Sequence, residues 1–100
     1  MTETFHRLVR RDLREALDHY ETEGGAILAD RFFAEVENCV LAITTNPNRH
    51  FSDGGYRRHG LDSFPYHFLF EVGQHGIWIA VLRHDRRHWS YGLRRLKRDQ

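Results

Sequence analysis

Cysteine is nearly absent from this 100-residue chain, proline occurs twice, and lysine is limited to Lys97. A single cysteine, Cys39, excludes an intrachain disulfide framework and a cysteine-based zinc module, and it suits a reducing compartment. Long apolar runs are also missing. The longest, Ile77 to Leu82, has six residues, too few for a transmembrane span, and no charged-then-apolar leader follows Met1. These absences lead to the expectation of an intracellular, cytoplasmic protein without membrane partners. With 40% hydrophobic and 29% charged residues, the chain fits one compact domain spanning residues 1–100. A domain of this size buries roughly 65% of the surface its unfolded chain exposes, so one modest core must serve.

The formal net charge of +1 conceals polarity along the chain. Residues 1–50 set 6 Arg against 9 Asp plus Glu, whereas residues 51–100 set 8 Arg and 1 Lys against 5 acids. Five of the eight histidines also lie in the second half, so its positive field grows below about pH 6.5. Arginine's planar fork binds phosphate or carboxylate bidentately, which makes this half either a solvated basic face or a surface for an anionic partner.

Local patterns suggest an order of elements. Phe5 to Val9 reads as a short strand, with Phe5, Arg7 and Val9 on one face. From Asp12 the period becomes helical, with Leu13, Ala16, Leu17 and Tyr20 on one stripe and Asp12 and Glu15 in a capping-box arrangement. Gly24-Gly25 supplies a corner, and a second helix from about Ala26 carries Ile27, Leu28, Phe32, Val36, Cys39, Val40 and Ile43 as far as Asn46-Pro47. After a polar loop from Asn48 to Gly55, Tyr56 to His59 reads as a polar strand with Arg57 and His59 on one face. Phe64 to Val72 and Ile77 to Leu82 are aromatic and β-branched, and Gly73 to Gly76 joins them as a hairpin. The predicted fold is α+β: an N-terminal strand, an αα-hairpin, then an antiparallel three-strand meander forming one sheet, with a short basic C-terminal segment that docks as a helix or frays.

Three segments in this order carry a family likeness: Asp12-Leu13 through Tyr20 with Gly24-Gly25 and Ala29-Asp30-Arg31-Phe32; the helix exit from Ile43 to Asn46-Pro47; and Arg57-Arg58 through Phe64-Pro65-Tyr66, closing with His84-Asp85-Arg86-Arg87. On these residues the chain resembles the RelE/ParE superfamily of bacterial type II toxin-antitoxin toxins. The resemblance implies a growth-inhibiting toxin of the plasmid-stabilisation kind. It would be neutralised by a cognate antitoxin that is acidic, partly disordered and DNA-binding. Relatives of the ParE kind act on DNA gyrase; those of the RelE kind enter the ribosome and cut mRNA without metal or cofactor.

The residues offer candidates for either role. Metal-free RNA cleavage needs a base, an acid and cationic donors for the charge on the phosphorane. Arg57, Arg58, Arg86 and Arg87 are predicted to converge on one phosphate, His59, His84 or His88 to exchange protons, and Tyr91 to stack on a base or donate a proton. The candidate site is therefore Arg57, Arg58, His84, Arg87 and Tyr91. The mRNA-cutting relatives often carry sheet lysines, which this chain lacks, and Asp85 stands near where another arginine would be expected; both favour gyrase slightly. The basic segment from Arg83 to Arg98, with six arginines and one lysine, is then the expected gyrase contact. Plainer roles compete: Arg57 and Arg58 as ion-pair partners of the acidic first helix, His84 as a half-buried group bonded to backbone, Cys39 as a small core residue, and Phe64, Tyr66, Phe68, Phe70 and Trp78 as core, with Trp89 the exception outside the strands. His84 and His88, four apart, have no carboxylate in the H-E-x-x-H order and no cysteine near them, which argues against a metal site.

Overall fold

The computed structural model describes residues 2–49, 52–53 and 55–96. Its elements are β1 (Glu3–Phe5), α1 (Val9–Thr45), β2 (Ser52–Asp53), β3 (Tyr56–Gly60), β4 (Tyr66–Gly73) and β5 (Gly76–His84), with one-turn 3-10 helices at Pro47–Arg49 and Leu93–Arg95. The five strands form one sheet in the order β1-β5-β4-β3-β2. All neighbours are antiparallel except β1, which runs parallel to β5.

The helix is interrupted where the glycine pair predicts. Gly24 (φ −145°, ψ 17°) and Gly25 (φ 75°, ψ −171°) leave the helical region inside α1, and Gly25 occupies a conformation essentially reserved for glycine. Tyr20 and Phe32, on opposite sides of the break, have ring centroids 4.9 Å apart. Twelve residues of straight helix would separate them by about 18 Å, so the two arms fold back on each other as a hairpin. In the second arm Ala29, Phe32, Val36, Cys39 and Ile43 are buried at alternating steps of three and four, the spacing of a helix stripe facing a sheet. Burial, followed by the Asp62 and Glu35 charges, pushes the Cys39 thiol up to about 12, so this cysteine is a core residue and an inert one.

The helices cover one face of the sheet and meet Phe68, Phe70, Ile77, Ile79 and Leu82 there. Ile79 and Leu82 are three apart, and a strict two-residue alternation would place them on opposite faces. A register irregularity resolves this: Leu69 pairs with Val81 but Phe70 pairs with Ile79, leaving Ala80 as the extra residue of a bulge. On the other face Leu69, Ala80 and Val81 pack with Leu96, flanked by Tyr56, Trp78, Tyr91 and Leu93. Residues 91–96 thus dock as a second cover.

Several boundaries differ from expectation. The first strand is Glu3–Phe5, and Val9 opens the helix rather than closing the strand. Parallel pairing to Ile77–Ile79 sets these limits. Phe64 and Pro65 precede the β4 strand. The loop before β3 contains the short strand β2, so four antiparallel strands replace three; positions 50, 51 and 54 of that loop lie outside the described residues, as do Lys97, Arg98 and the rest of the C-terminus. Asp12 is not a helix cap either. Its N–H donates to Leu8 O at 3.0 Å within the helix, and its side chain turns inward.

Candidate functional site

Strand β1 pairs only with Ile77–Ile79, so the β5 edge is open from Ala80 onward. Open, buried ladder groups need partners. Two charged side chains supply them: Asp12 Oδ2 accepts the Leu82 N–H at 3.1 Å, and Arg95 Nη1 donates to Ala80 O at 3.2 Å. The two side chains also pair, Arg95 Nη1 to Asp12 Oδ2 at 2.6 Å, and Tyr91 Oη donates to Asp12 Oδ1 at 2.8 Å. Burial works against the Arg95 guanidinium, but the hydrogen bonds and charge of Asp12 outweigh it and hold its pKa above the usual value. The pair ties the start of α1 to the C-terminal turn across one sheet edge.

A second polar chain crosses the sheet beside it. His67 is 1% exposed, and its Nε2 accepts the Arg83 Nε–H at 2.8 Å. That fixes the proton on Nδ1, which donates to Asp85 Oδ1 at 2.7 Å. Burial, aided by the Arg58 and Arg83 charges and opposed by Asp85, lowers the His67 pKa, keeping the ring neutral. Arg83 then uses Nη1 to hold Trp89 O at 2.6 Å and Tyr91 O at 3.1 Å. The turn after β5 is fastened at both ends.

The predicted site residues divide into two groups. His84, Arg87 and Tyr91 line one cavity of about 100 Å³ together with Asp12, Glu15, Tyr66 and Arg83. Arg87 lies over the Tyr91 ring, 3.9 Å from its centroid, and His84 Nδ1 accepts the Arg86 N–H at 3.0 Å while its ring meets Tyr66 edge-on. Arg57 and Arg58, adjacent on β3, point to opposite faces. Arg57 Nη1 donates to Pro47 O at 2.8 Å and Asn48 Oδ1 at 3.0 Å, bracing the turn after α1. Arg58 reaches toward Asp85 at 3.7 Å. The four arginines do not meet at one point. Of the residues in these two networks, His67 has no role in the sequence pattern, Asp12 reads there as a helix cap, and Arg83 and Arg95 are placed only within the basic segment 83–98; an arginine closing the apolar run of β5 was the available signal for Arg83.

Elsewhere, β1 and the two arms of α1 enclose an open groove of about 850 Å³ lined by Phe5, Val9, Leu13, Phe33, Val36 and Leu41, with His6, Arg7, Arg10, Glu3 and Glu37 also on its walls. Among the described residues, no group of three or more potential metal ligands gathers, and no helix is long and apolar enough to cross a membrane.

Comparison with known proteins places this arrangement. A chain of the chromosomal ParDE toxin-antitoxin system from P. aeruginosa has the same fold, with a TM-score of 0.75 at 22% identity over 84% of this chain and 95% of that one. A search of curated proteins finds no significant match. The family model for the ParE toxin of the type II toxin-antitoxin system parDE matches residues 4–89. Matched over most of its length, the chain belongs to the ParE family of type II toxin-antitoxin toxins.

Proposed function

We propose that this toxin inhibits DNA gyrase through the segment after β5, rather than cutting mRNA on the ribosome. The observation that carries this reading is the use to which the cleavage candidates are put. The Tyr91 hydroxyl is held by Asp12 and Arg95, Arg58 reaches a carboxylate, and Arg57 serves the turn after α1. A phosphorane at this place would find Asp85 beside the cations and the Tyr91 hydroxyl already donating to Asp12. In this reading Arg58, His84, Arg87 and Tyr91 shape and charge a contact surface. The ribonuclease alternative retains one supporting observation, the shared cavity of His84, Arg87 and Tyr91. A supercoiling assay with purified gyrase tests the proposal: inhibition by the added toxin, relieved by Arg87→Ala with Tyr91→Ala, is expected. Undisturbed supercoiling alongside cleavage of ribosome-bound mRNA would reverse it.

The antitoxin expected here is an acidic, partly disordered, DNA-binding protein whose apolar segment folds on contact. The α1 groove suits that segment because it leaves Phe5, Phe33 and Leu41 exposed beside Arg7 and Arg10. Leu41→Glu should weaken antitoxin binding at least 10-fold, about 1.4 kcal/mol; unchanged affinity in calorimetry would place the contact elsewhere.

A further inference from the structure

Among the described residues, Trp89 is the largest apolar side chain left in the open, at 68% exposure. Its position is not that of a loose loop. The Asp85 N–H donates to Pro65 O at 2.8 Å, the Asp85 carboxylate receives His67, and the buried Arg83 grips the carbonyls of Trp89 and Tyr91. Between these anchors the chain presents Arg86, Arg87, His88 and Trp89, all exposed. The His88 and Trp89 rings stack, with centroids 5.6 Å apart and planes inclined by 29°.

In a protein–protein hot spot the aromatic anchor is ringed by near-neutral contacts that exclude water once the complex forms. Trp89 instead has Arg86, Arg87, His88 and Ser90 as its chain neighbours. A flat π face among guanidinium forks matches a ligand that carries both a planar ring and an anion in each repeat. Nucleotides have that composition, and aromatic stacking on bases tolerates any sequence. The one acidic group on the turn, Asp85, accepts a hydrogen bond from His67 at 2.7 Å and has the Arg58 guanidinium 3.7 Å away, which offsets part of its charge. We propose that the 85–91 turn binds single-stranded nucleic acid, Trp89 stacking on an unpaired base while Arg86 and Arg87 meet the flanking phosphates.

The test is fluorescence anisotropy of a short labelled oligothymidylate titrated with the full chain at two salt concentrations. Binding should weaken as salt rises. Trp89→Ala should weaken it roughly 5- to 150-fold, the range for losing one base stack, while Trp89→Phe keeps most of the affinity. Because the indole is exposed, circular dichroism of both variants should match the parent. Polyglutamate, an anion without bases, should displace the oligonucleotide poorly. Absence of binding, or Trp89→Ala binding as tightly as the parent, overturns the proposal. Polyglutamate binding as tightly, and with the same dependence on Trp89, would assign the turn to an acidic protein surface instead. Gyrase inhibition without oligonucleotide binding removes this inference and leaves the gyrase reading standing.

Discussion

Asp12 serves three donors at once: the Leu82 N–H, the Tyr91 hydroxyl and the Arg95 guanidinium. Removing it strands a buried cation as well as two polar hydrogens, so Asp12→Ala should cost about 3–5 kcal/mol in urea unfolding. Replacing both charges, Asp12→Leu with Arg95→Met, should recover part of that loss, since no unpaired charge remains. A single-variant loss under about 1 kcal/mol would mean water already serves Arg95. Sequence pattern misassigned Asp12 for a physical reason. An aspartate ahead of a helical stripe with a glutamate three later looks the same whether its carboxylate caps its own helix or crosses to a residue 83 positions away, as Arg95 is. His67 makes the second residue-scale prediction. Burial lowers its pKa from the ordinary 6.5, against the pull of Asp85, and His6 is lowered too, by burial and then by Arg95 and Arg7. Such a base binds fewer protons folded than unfolded, so its stabilisation is whole above about pH 6.5 and is lost as the pH falls toward the folded value. The urea midpoint should therefore drop between pH 7 and pH 5, and drop less in His67→Gln; a midpoint that rises on acidification would contradict this.

At the scale of elements, the hairpin depends on Gly25. With φ 75° and ψ −171°, a Cβ there meets no neighbour within 4 Å, so Gly25→Ala isolates backbone strain from crowding. It should cost about 1–3 kcal/mol, read as a lower thermal midpoint; no change would show that the corner relaxes into another conformation. This corner was legible because glycine pairs between two helical stripes have few other uses, and β4 and β5 were legible because their aromatic and β-branched runs flank a glycine-bounded connection of hairpin length. The edges were less so. β1 has three residues and exists by pairing with β5, and β2 has two and exists by pairing with β3, so neither has a local signal strong enough to mark its ends. The bulge at Ala80 and the docking of Leu96 under the sheet depend on packing that no window of sequence displays.

Across the whole molecule, the two faces of the sheet have different occupants. The helices fill one, and a C-terminal turn fastened by two buried polar networks covers the other. The apolar groove lies on the helical side and the exposed cations of residues 86 and 87 lie beyond β5, which suits an antitoxin and a target engaged at different places. The site was half legible: residue types pointed to His84, Arg87 and Tyr91, which do come together, but strand alternation sends Arg57 away from Arg58. On the gyrase reading proposed above, this ParE-family toxin stops DNA metabolism rather than translation. That reading is tested most directly by inducing the chain alone in bacteria and following labelled thymidine and labelled amino acid over the next minutes. Thymidine incorporation should fall first while protein synthesis continues; an early fall in amino-acid incorporation with thymidine uptake intact would contradict the claim.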